Sequence, residues 1–207
     1  MAGQIEARTV PGIFAHYAAR KSMIEREVRC GVREGYEQVV VIGGGFDTLA
    51  IRLKEETPPL HVFEIDHPST QAAKISRLPP SKVQFVSADL RDTSVSEALE
   101  GSGFDRYLPT IYVLEGLLMY LKKDAVHALL SALPGASRRI VFTAMDVDAM
   151  GHPCFKNQSS GLDKWLERRG EPFLWGCAPI EMSAFLETCG LRLLKILETA
   201  ALELNVN

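Results

Sequence analysis

The 207-residue sequence predicts an α/β fold, a doubly wound and mostly parallel sheet with helices on both faces. Short apolar runs alternate with helix-like segments along the chain, as expected for successive β-α units. The run at residues 39–42 enters a turn of three glycines, and a second run at 60–65 leads into acidic residues. Unbroken apolar runs are typical of strands that are buried on both faces of a parallel sheet.

The first half of the chain is predicted to begin with a helix over 11–35, which has apolar residues at helical spacing and Pro11 in its first turn. Apolar and β-branched residues predict three strands, over 38–42, 60–65 and 83–87. Helices between and after them are predicted over 48–56, 68–78 and 95–100, and proline pairs follow the first two.

In the second half, strands are predicted over 109–114, 139–143 and 191–197. Helices are predicted over 122–133, 162–169 and 180–189, the last closed by Gly190 as a left-handed cap. Residues 200–207 are barely long enough for another strand, so the C-terminal strand is expected to be short or missing. We expect a single domain over 1–207, with an N-terminal helical segment over 1–36 and a substrate-side insertion over 146–176.

Composition narrows the classes of partner. The net charge of −3 gives no electrostatic reason to expect nucleic acid or an anionic membrane as a partner. No secretory signal or bilayer-spanning run is apparent, and the four cysteines are scattered, so a cytoplasmic protein with reduced thiols is expected. Asp146 and Asp148 lack an evident third ligand, so they are interpreted as a solvated loop and no metal site is expected.

The glycine turn indicates which cofactor to expect. Gly43 and Gly45 fit the first two positions of the dinucleotide pattern G-x-G-x-x-G, but Thr48 occupies the third. Asp47 would repel a pyrophosphate at the start of the following helix. A cofactor with an adenosine, no phosphate and a cationic end suits the turn better, which describes S-adenosylmethionine. The alternative is a glycine-rich turn that binds nothing.

Four blocks of the sequence resemble the leucine carboxyl methyltransferase family, a branch of the class I S-adenosylmethionine-dependent O-methyltransferases. They are VIGGGFDT at 41–48, FEIDHP at 63–68, FVSADL at 85–90 and PTIYVLEGLLMYL at 109–121. Weaker similarity covers 18–20 and 170–190. One departure is Leu49, because family members commonly carry an arginine there.

The resemblance implies roles for residues around the cofactor. Arg20 would hold the methionine carboxylate, and Gly43 and Gly45 would allow a close backbone approach. Asp47 would meet the ammonium group, with a helix N-cap as the alternative role. Asp66 is predicted to accept hydrogen bonds from the ribose diol, and Glu64, on the same face of the strand, is its competitor.

Further roles fall on the next two loops. Asp89 would accept a hydrogen bond from the adenine amino group while the Leu90 amide donates to a ring nitrogen. A turn cap is the alternative role for Asp89. Glu115 is expected to face the amino-acid end of the cofactor, and Tyr120 is a weak candidate for the methyl-transfer pocket. His67 is interpreted as a structural cap or loop anchor.

The function implied is an S-adenosylmethionine-dependent O-methyltransferase acting on a carboxylate or hydroxyl of a small molecule or of a peptide C-terminus. A carboxylate or an acidic phenol is favoured, because a carboxylate is ionised at neutral pH and needs no general base, and no candidate base for an ordinary hydroxyl stands out. One alternative is a non-catalytic protein of the same fold that binds the cofactor or a partner. A nicotinamide-dependent oxidoreductase is disfavoured by Thr48 at the third glycine position.

Overall fold

The structure, a computed structural model, describes residues 10, 12–57, 59–156, 158 and 161–198, and for Asp163 its backbone alone. The chain divides into two compact units. The sheet unit comprises Ile24–Leu117 and Ala132–Thr143. The aromatic unit comprises the described residues up to Met23, the segment 118–131 and the described residues from Ala144 onward. The single domain predicted over 1–207 stays a prediction.

The sheet unit contains five parallel strands. They are β1 (Gln38–Ile42), β2 (His61–Asp66), β3 (Gln84–Ser87), β4 (Thr110–Leu114) and β5 (Arg138–Phe142). Their order in the sheet is β3-β2-β1-β4-β5. The chain therefore runs outward from β1 to β3 and returns to the other side of β1 with β4. Such a reversal of strand order leaves a crevice beyond the carboxyl end of the central strand, where ligands bind in folds of this class.

Besides one residue of a later helix, four helical segments lie wholly or partly in the sheet unit. They are the C-terminal part of α1 (Ile13–Arg33), α2 (Leu49–Glu56), α3 (Pro68–Ile75) and α4 (Val95–Leu99). α3 starts with Pro68 in its first turn, and Ser94 with Glu97 forms a capping box at the start of α4. Every residue of β1 is buried, so both of its faces are covered. The predicted α/β fold with a parallel sheet is thus confirmed.

One core of the sheet unit joins strands to helices. Ile24 and Val28 of α1 and Leu53 of α2 belong to the same buried cluster as Val41 and Ile111 of β1 and β4. These residues recur at helical spacing in the helices and at alternate positions in the strands, which is the pattern that brings one side of each element to a shared core. The two elements that flank the glycine turn, β1 and α2, are therefore anchored in one core.

The aromatic unit contains the N-terminal part of α1 and three further helices. These are α5 (Lys123–Ala132, all but Ala132 within the unit), α6 (Leu162–Arg169) and α7 (Pro179–Thr188). A single 3-10 turn spans Leu118–Tyr120, and a short antiparallel pair joins β6 (Asp146–Val147) to β7 (Pro153–Cys154). The unit takes its name from ring contacts among His16, Phe155, Phe173 and Tyr120.

Two features of the second half differ from the sequence-based expectations. The strand predicted over 191–197 is wrong, because the described residues there form no strand ladder. Leu194, Ile196 and Leu197 are all exposed, and an alternating run cannot form a strand without a neighbouring strand to bond. The two-residue strands β6 and β7 were not predicted, since such short pairings leave no periodic pattern.

Some expectations fall outside the described residues, namely Pro11 at the start of α1 and the short strand expected over 200–207. Gly190, by contrast, has φ +70° directly after the end of α7, as its predicted cap role requires. None of the helices in the described ranges combines the length and apolar character that a membrane crossing requires.

Candidate active site

The glycine turn after β1 uses its three glycines for two different reasons. Gly43 and Gly45 have φ values of +68° and +52°, in the left-handed region that side chains with a Cβ rarely adopt. Gly44 has no positive φ, but a Cβ placed there would lie 2.9 Å from Cδ of Glu64. A Cβ on Gly45 would meet no atom within 4 Å, so the turn is open at that point.

Asp66, the last residue of β2, lies directly against this turn. Its Oδ2 accepts a hydrogen bond of 2.6 Å from the backbone amide of Gly45, and its Oδ1 accepts one of 2.7 Å from the amide of His67. The carboxylate is half-buried. Each carboxylate oxygen can accept more than one hydrogen bond, so both keep capacity for a ligand hydroxyl.

Glu64, the competitor for the diol role, is engaged inside the sheet unit. Its side chain is 1% exposed, and its Oε1 lies 2.6 Å from Nζ of Lys74, which is 2% exposed. Burial raises the pKa of Glu64, while the hydrogen bond from Lys74 opposes that effect. Because this carboxylate is held away from solvent, Asp66 is the acid of the pair that a ligand at the turn can reach.

Asp89 lies two residues beyond β3 and is partly exposed. The Arg91 guanidinium bonds both of its oxygens, at distances of 2.6 to 3.1 Å, and His67 Nε2 lies 3.6 Å from Oδ2. These hydrogen bonds from Arg91 hold the pKa of Asp89 well below its usual range. The Arg91 amide also donates to Asp89 Oδ1, and the Thr93 amide donates to the Asp89 backbone carbonyl. The alternative role of Asp89, the cap of a following turn, is therefore present.

His67 connects the two acids along the sheet edge. Its backbone amide bonds Asp66, and its ring Nδ1 accepts from the Ser69 amide at the start of α3. The predicted cap role of His67 is therefore present in the structure. Its other ring nitrogen faces Asp89, so a single residue contacts both predicted ligands of the adenosine.

The remaining candidates in the sheet unit lie in the loops that follow β1, β3 and β4. Asp47 accepts a 2.6 Å hydrogen bond from the amide of Leu49, the first residue of α2. Thr48 is the N-cap residue, so Asp47 supports the helix start from one position earlier than its alternative role predicted. Leu90 is half-buried in the turn that follows Asp89. Glu115 follows β4 and is half-buried, and the Gly116 amide next to it donates to Thr143 Oγ1 over 2.8 Å.

Arg20 and Tyr120 belong to the aromatic unit. The Arg20 guanidinium lies 4.7 Å from the centre of the Tyr17 ring, and the Tyr120 ring centre lies 5.9 Å from that of Phe173. Burial raises the pKa of the Tyr120 phenol, and Glu171 acts in the same direction. The phenol is therefore neutral at physiological pH, as a hydrogen-bond donor rather than a base.

One network was not predicted from the sequence. Gln71 Nε2 donates to the Glu64 carbonyl over 3.0 Å, and Ser87 Oγ donates to Gln71 Oε1 over 2.5 Å. Together with Lys74, these residues link α3 to the ends of β2 and β3. The available signal was the spacing of Gln71 and Lys74, which follow the second quoted block three residues apart and hence on one face of a helix.

In the hairpin that carries them, Asp146 and Asp148 contact backbone amides and a lysine. Asp148 Oδ1 accepts from the amides of Met150 and His152, and Lys156 Nζ lies 3.8 Å from Asp146. In the part of the chain that the structure describes, no three His, Cys, Asp or Glu side chains converge as a metal site would require.

Comparison with known proteins now decides the family. The family model described as Leucine carboxyl methyltransferase matches residues 2–134. The chain belongs to this family. Among its relatives is a Bacillus subtilis (strain 168) protein named "Putative S-adenosyl-L-methionine-dependent methyltransferase YktD", which is 30% identical over 184 residues, 84% of this chain and 60% of the relative. A Mycolicibacterium paratuberculosis (strain K-10) protein of the same general name is 34% identical over 129 residues, 59% of this chain and 41% of that protein.

Solved structures show the same fold. A DUF574 family protein from Streptomyces avermitilis superposes with a TM-score of 0.68 at 21% identity, over 90% of this chain and 74% of that one. The complex of LepI with S-adenosylmethionine gives a TM-score of 0.54 at 18% identity, over 78% and 39% of the two chains. The present chain thus spans about 60% of the length of its Bacillus relative, and the likeness to these structures concerns the fold.

Proposed function

We propose that this chain binds S-adenosylmethionine at the carboxyl ends of β1 to β4 and transfers its methyl group to an oxygen atom. The acceptor is a carboxylate or hydroxyl of a small molecule or of a peptide C-terminus. The observation that carries the proposal is the 2.6 Å contact between the Gly45 amide and Asp66 Oδ2. This contact places two features side by side in the family's fold: a glycine turn that a ligand can approach, and an accessible carboxylate.

The hydrogen-bonding groups at the carboxyl ends of these strands fit an adenosyl sulfonium cofactor. Asp66 can accept from both ribose hydroxyls, and Asp89 with the Leu90 amide offers the acceptor and donor that an adenine edge needs. Asp47 supplies negative charge for the ammonium end, and Gly45 leaves space for it because a Cβ there would meet no protein atom within 4 Å. A pyrophosphate, in contrast, would face the carboxylates of Asp47 and Asp66.

Two further residues complete the proposed set. By the family resemblance, Glu115, at the end of the buried strand β4, is assigned to the amino-acid end of the cofactor, and Arg20 to its carboxylate, which a guanidinium can hold by two hydrogen bonds. Glu115 is half-buried and directly follows a strand whose residues are all buried, so its carboxylate lies at the same end of the sheet as the glycine turn. When bound, S-adenosylmethionine supplies a methyl group made electrophilic by the sulfonium, and S-adenosylhomocysteine is the product.

Of the two classes of methyl acceptor, a carboxylate suits this site better than a hydroxyl does. A carboxylate is already ionised at neutral pH, whereas a hydroxyl needs a base to take its proton. Tyr120, the candidate closest to such a role, has a raised pKa and keeps its proton. The protein then has to align the acceptor oxygen and exclude water, which can contribute about 7–11 kcal/mol when alignment is good.

Binding is tested by titrating the protein with S-adenosylmethionine and with S-adenosylhomocysteine in a calorimeter, with NADH as the matched control ligand. We expect saturable binding of the two adenosyl ligands and none of NADH. Absence of binding at millimolar cofactor would contradict the proposal. Binding of NADH in preference would support an oxidoreductase instead.

Transfer is tested with cofactor labelled in its methyl group and a panel of paired acceptors, each a carboxylic acid and the corresponding alcohol. A methyl ester releases volatile labelled methanol in alkali, whereas a methyl ether does not. We expect alkali-labile label with an acid acceptor. Stable label would assign a hydroxyl acceptor. Cofactor binding without transfer to any member of the panel would favour the non-catalytic alternative.

A further inference from the structure

The underside of the glycine turn is occupied by a buried carboxylate. Glu64 is 1% exposed, and its Cδ and Oε2 would lie 2.9 and 3.1 Å from a Cβ on Gly44. A real Cβ could not occupy that space without displacing the turn or the glutamate. The backbone at Gly44 therefore rests directly on the Glu64 side chain.

Lys74 is the group that allows this carboxylate to be buried. An ionised carboxylate without a partner is costly to remove from water, and Lys74 Nζ approaches Glu64 Oε1 to 2.6 Å from within the same interior. The carboxylates of Asp66 and Asp47 also act on Glu64, and both raise its pKa. The lysine thus opposes both the burial and the repulsion from two neighbouring acids, which together keep the pKa of Glu64 raised.

The pair belongs to a network that reaches each of the loops assigned to the adenosine. Glu64 contacts the turn at Gly44, and its carbonyl accepts from Gln71, one helical turn before Lys74 on α3. Gln71 in turn accepts from Ser87, the last residue of β3 and two residues before Asp89. The network therefore links the glycine turn, β2 and β3 through side chains of α3 and β2.

We infer that Glu64 and Lys74 are positioning residues, a buried ion pair that sets the height of the Gly44 backbone and thereby aligns the Gly45 amide with Asp66 for cofactor binding. This inference rests on the proposed function. The pair itself does not touch the cofactor, since both side chains are almost completely buried. Its effect is on geometry, and in enzymes a misplacement of about 1 Å by a distant change can lower the reaction rate about a hundredfold.

The decisive variant replaces both charges, as Glu64→Met with Lys74→Met. A buried ion pair exchanged for apolar side chains of similar volume often leaves stability unchanged, whereas removal of one partner does not. Lys74→Met alone can fail to fold and is not used. The readouts are the Kd for S-adenosylhomocysteine by calorimetry, the Tm, and the NMR resonance of the Gly45 amide.

Gln38→Met serves as the matched control. Gln38 is also fully buried and polar, and it bonds the carbonyl of Asp105 and the hydroxyl of Thr110 at the opposite end of β1. Loss of these hydrogen bonds in Gln38→Met is expected to lower the Tm without disturbing the glycine turn. A rescue variant, Glu64→Gln with Lys74→Gln, keeps the volume and one hydrogen bond across the pair without the charges.

We expect the methionine pair to keep the wild-type Tm within a few degrees, to shift the Gly45 resonance and to weaken S-adenosylhomocysteine binding by roughly tenfold or more. The Gln38 variant shows the reverse, a lower Tm with unchanged affinity. The glutamine pair recovers most of the lost affinity. Wild-type affinity in the methionine pair, or no recovery in the glutamine pair, would overturn the inference.

Failure of the proposed function gives a different result. The wild-type protein would then bind no adenosyl ligand, while the Gly45 resonance would still report whether the pair positions the turn. A shifted resonance in the methionine pair would uphold the structural role, and an unchanged one would remove it.

Discussion

The backbone amide of Gly45 and the carboxylate of Asp66, 21 residues apart in sequence, are joined by a hydrogen bond of 2.6 Å. The bond couples the turn after β1 to the last residue of the neighbouring strand β2, with which β1 pairs from Gln38 to Ile42. The bond holds the Asp66 carboxylate beside Gly45, where a Cβ would meet no atom within 4 Å. A ligand that bonds Asp66 is therefore in contact range of the turn as well.

Asp66→Ala is expected to weaken binding of S-adenosylhomocysteine by about tenfold or more, because a charged acceptor for the ribose hydroxyls is lost. Asp66→Asn keeps one acceptor oxygen and is expected to lose less. Calorimetry measures both. Asp92→Ala, which removes an exposed aspartate of a neighbouring loop, is the control and should bind as the wild type does. Equal affinity in all four proteins would remove Asp66 from the site.

Gly44→Ala is expected to destabilise the protein by about 1–3 kcal/mol, since the added methyl overlaps the Glu64 side chain at 2.9 Å. Gly45→Ala is expected to cost about 1–2 kcal/mol through its left-handed backbone alone. Gly161→Ala, where a Cβ meets no atom within 4 Å and no positive φ is required, is the control. Urea unfolding gives the three free energies, and a neutral Gly44→Ala would refute the close fit.

Arg91→Ala is expected to return the pKa of Asp89 toward its ordinary value of 3.8, because the Arg91 hydrogen bonds are the main cause of its lowering. A lowered carboxyl pKa contributes stability above the unfolded-state pKa, and that contribution is lost as pH falls through the folded-state pKa. In the variant the folded-state and unfolded-state pKa values lie closer together, so this contribution is smaller and its loss is complete at a higher pH than in the wild type. Carbon-13 NMR of the Asp89 carboxyl follows both titrations, and coincident midpoints would contradict the role of Arg91.

Tyr120→Phe is expected to remove a late step from the alkaline titration of the tyrosines. Burial raises the pKa of Tyr120 above 10.0, its ordinary value, with Glu171 and Tyr17 adding to the effect and Arg20 opposing it. A raised pKa contributes stability below pH 10.0 that is lost as pH rises through the folded-state value. Phenolate absorbance measures the titration. If the variant lacks an early step instead, Tyr120 is not held in its neutral form.

Much of the sheet unit could be predicted from residue patterns. The apolar run at the start of β1 and the glycines after it predicted a buried strand and a tight turn, and both are present. Local patterns succeed here because a parallel strand buried on two faces requires apolar residues at every position. The strand predicted over 191–197 was wrong for a related reason, since alternation does not supply a neighbouring strand.

The choice between Glu64 and Asp66 shows where sequence patterns stop. The two acids lie two residues apart on the same face of β2, and their chemical types are equivalent as acceptors. Only the approach of Lys74 to one and of the Gly45 amide to the other separates an interior ion pair from an accessible carboxylate. Those contacts join residues that are 10 and 21 positions apart.

The sequence by itself determined the α/β class, the glycine turn and the set of acids that follow the strands, because strand period and backbone freedom depend on neighbouring residues alone. The tertiary structure decided which of those acids faces solvent and which is paired with a lysine inside the sheet unit. It also decided that position 44 has no room for a Cβ. Burial, pKa and steric fit depend on atoms that are distant along the chain, and only packing brings them within a few ångströms.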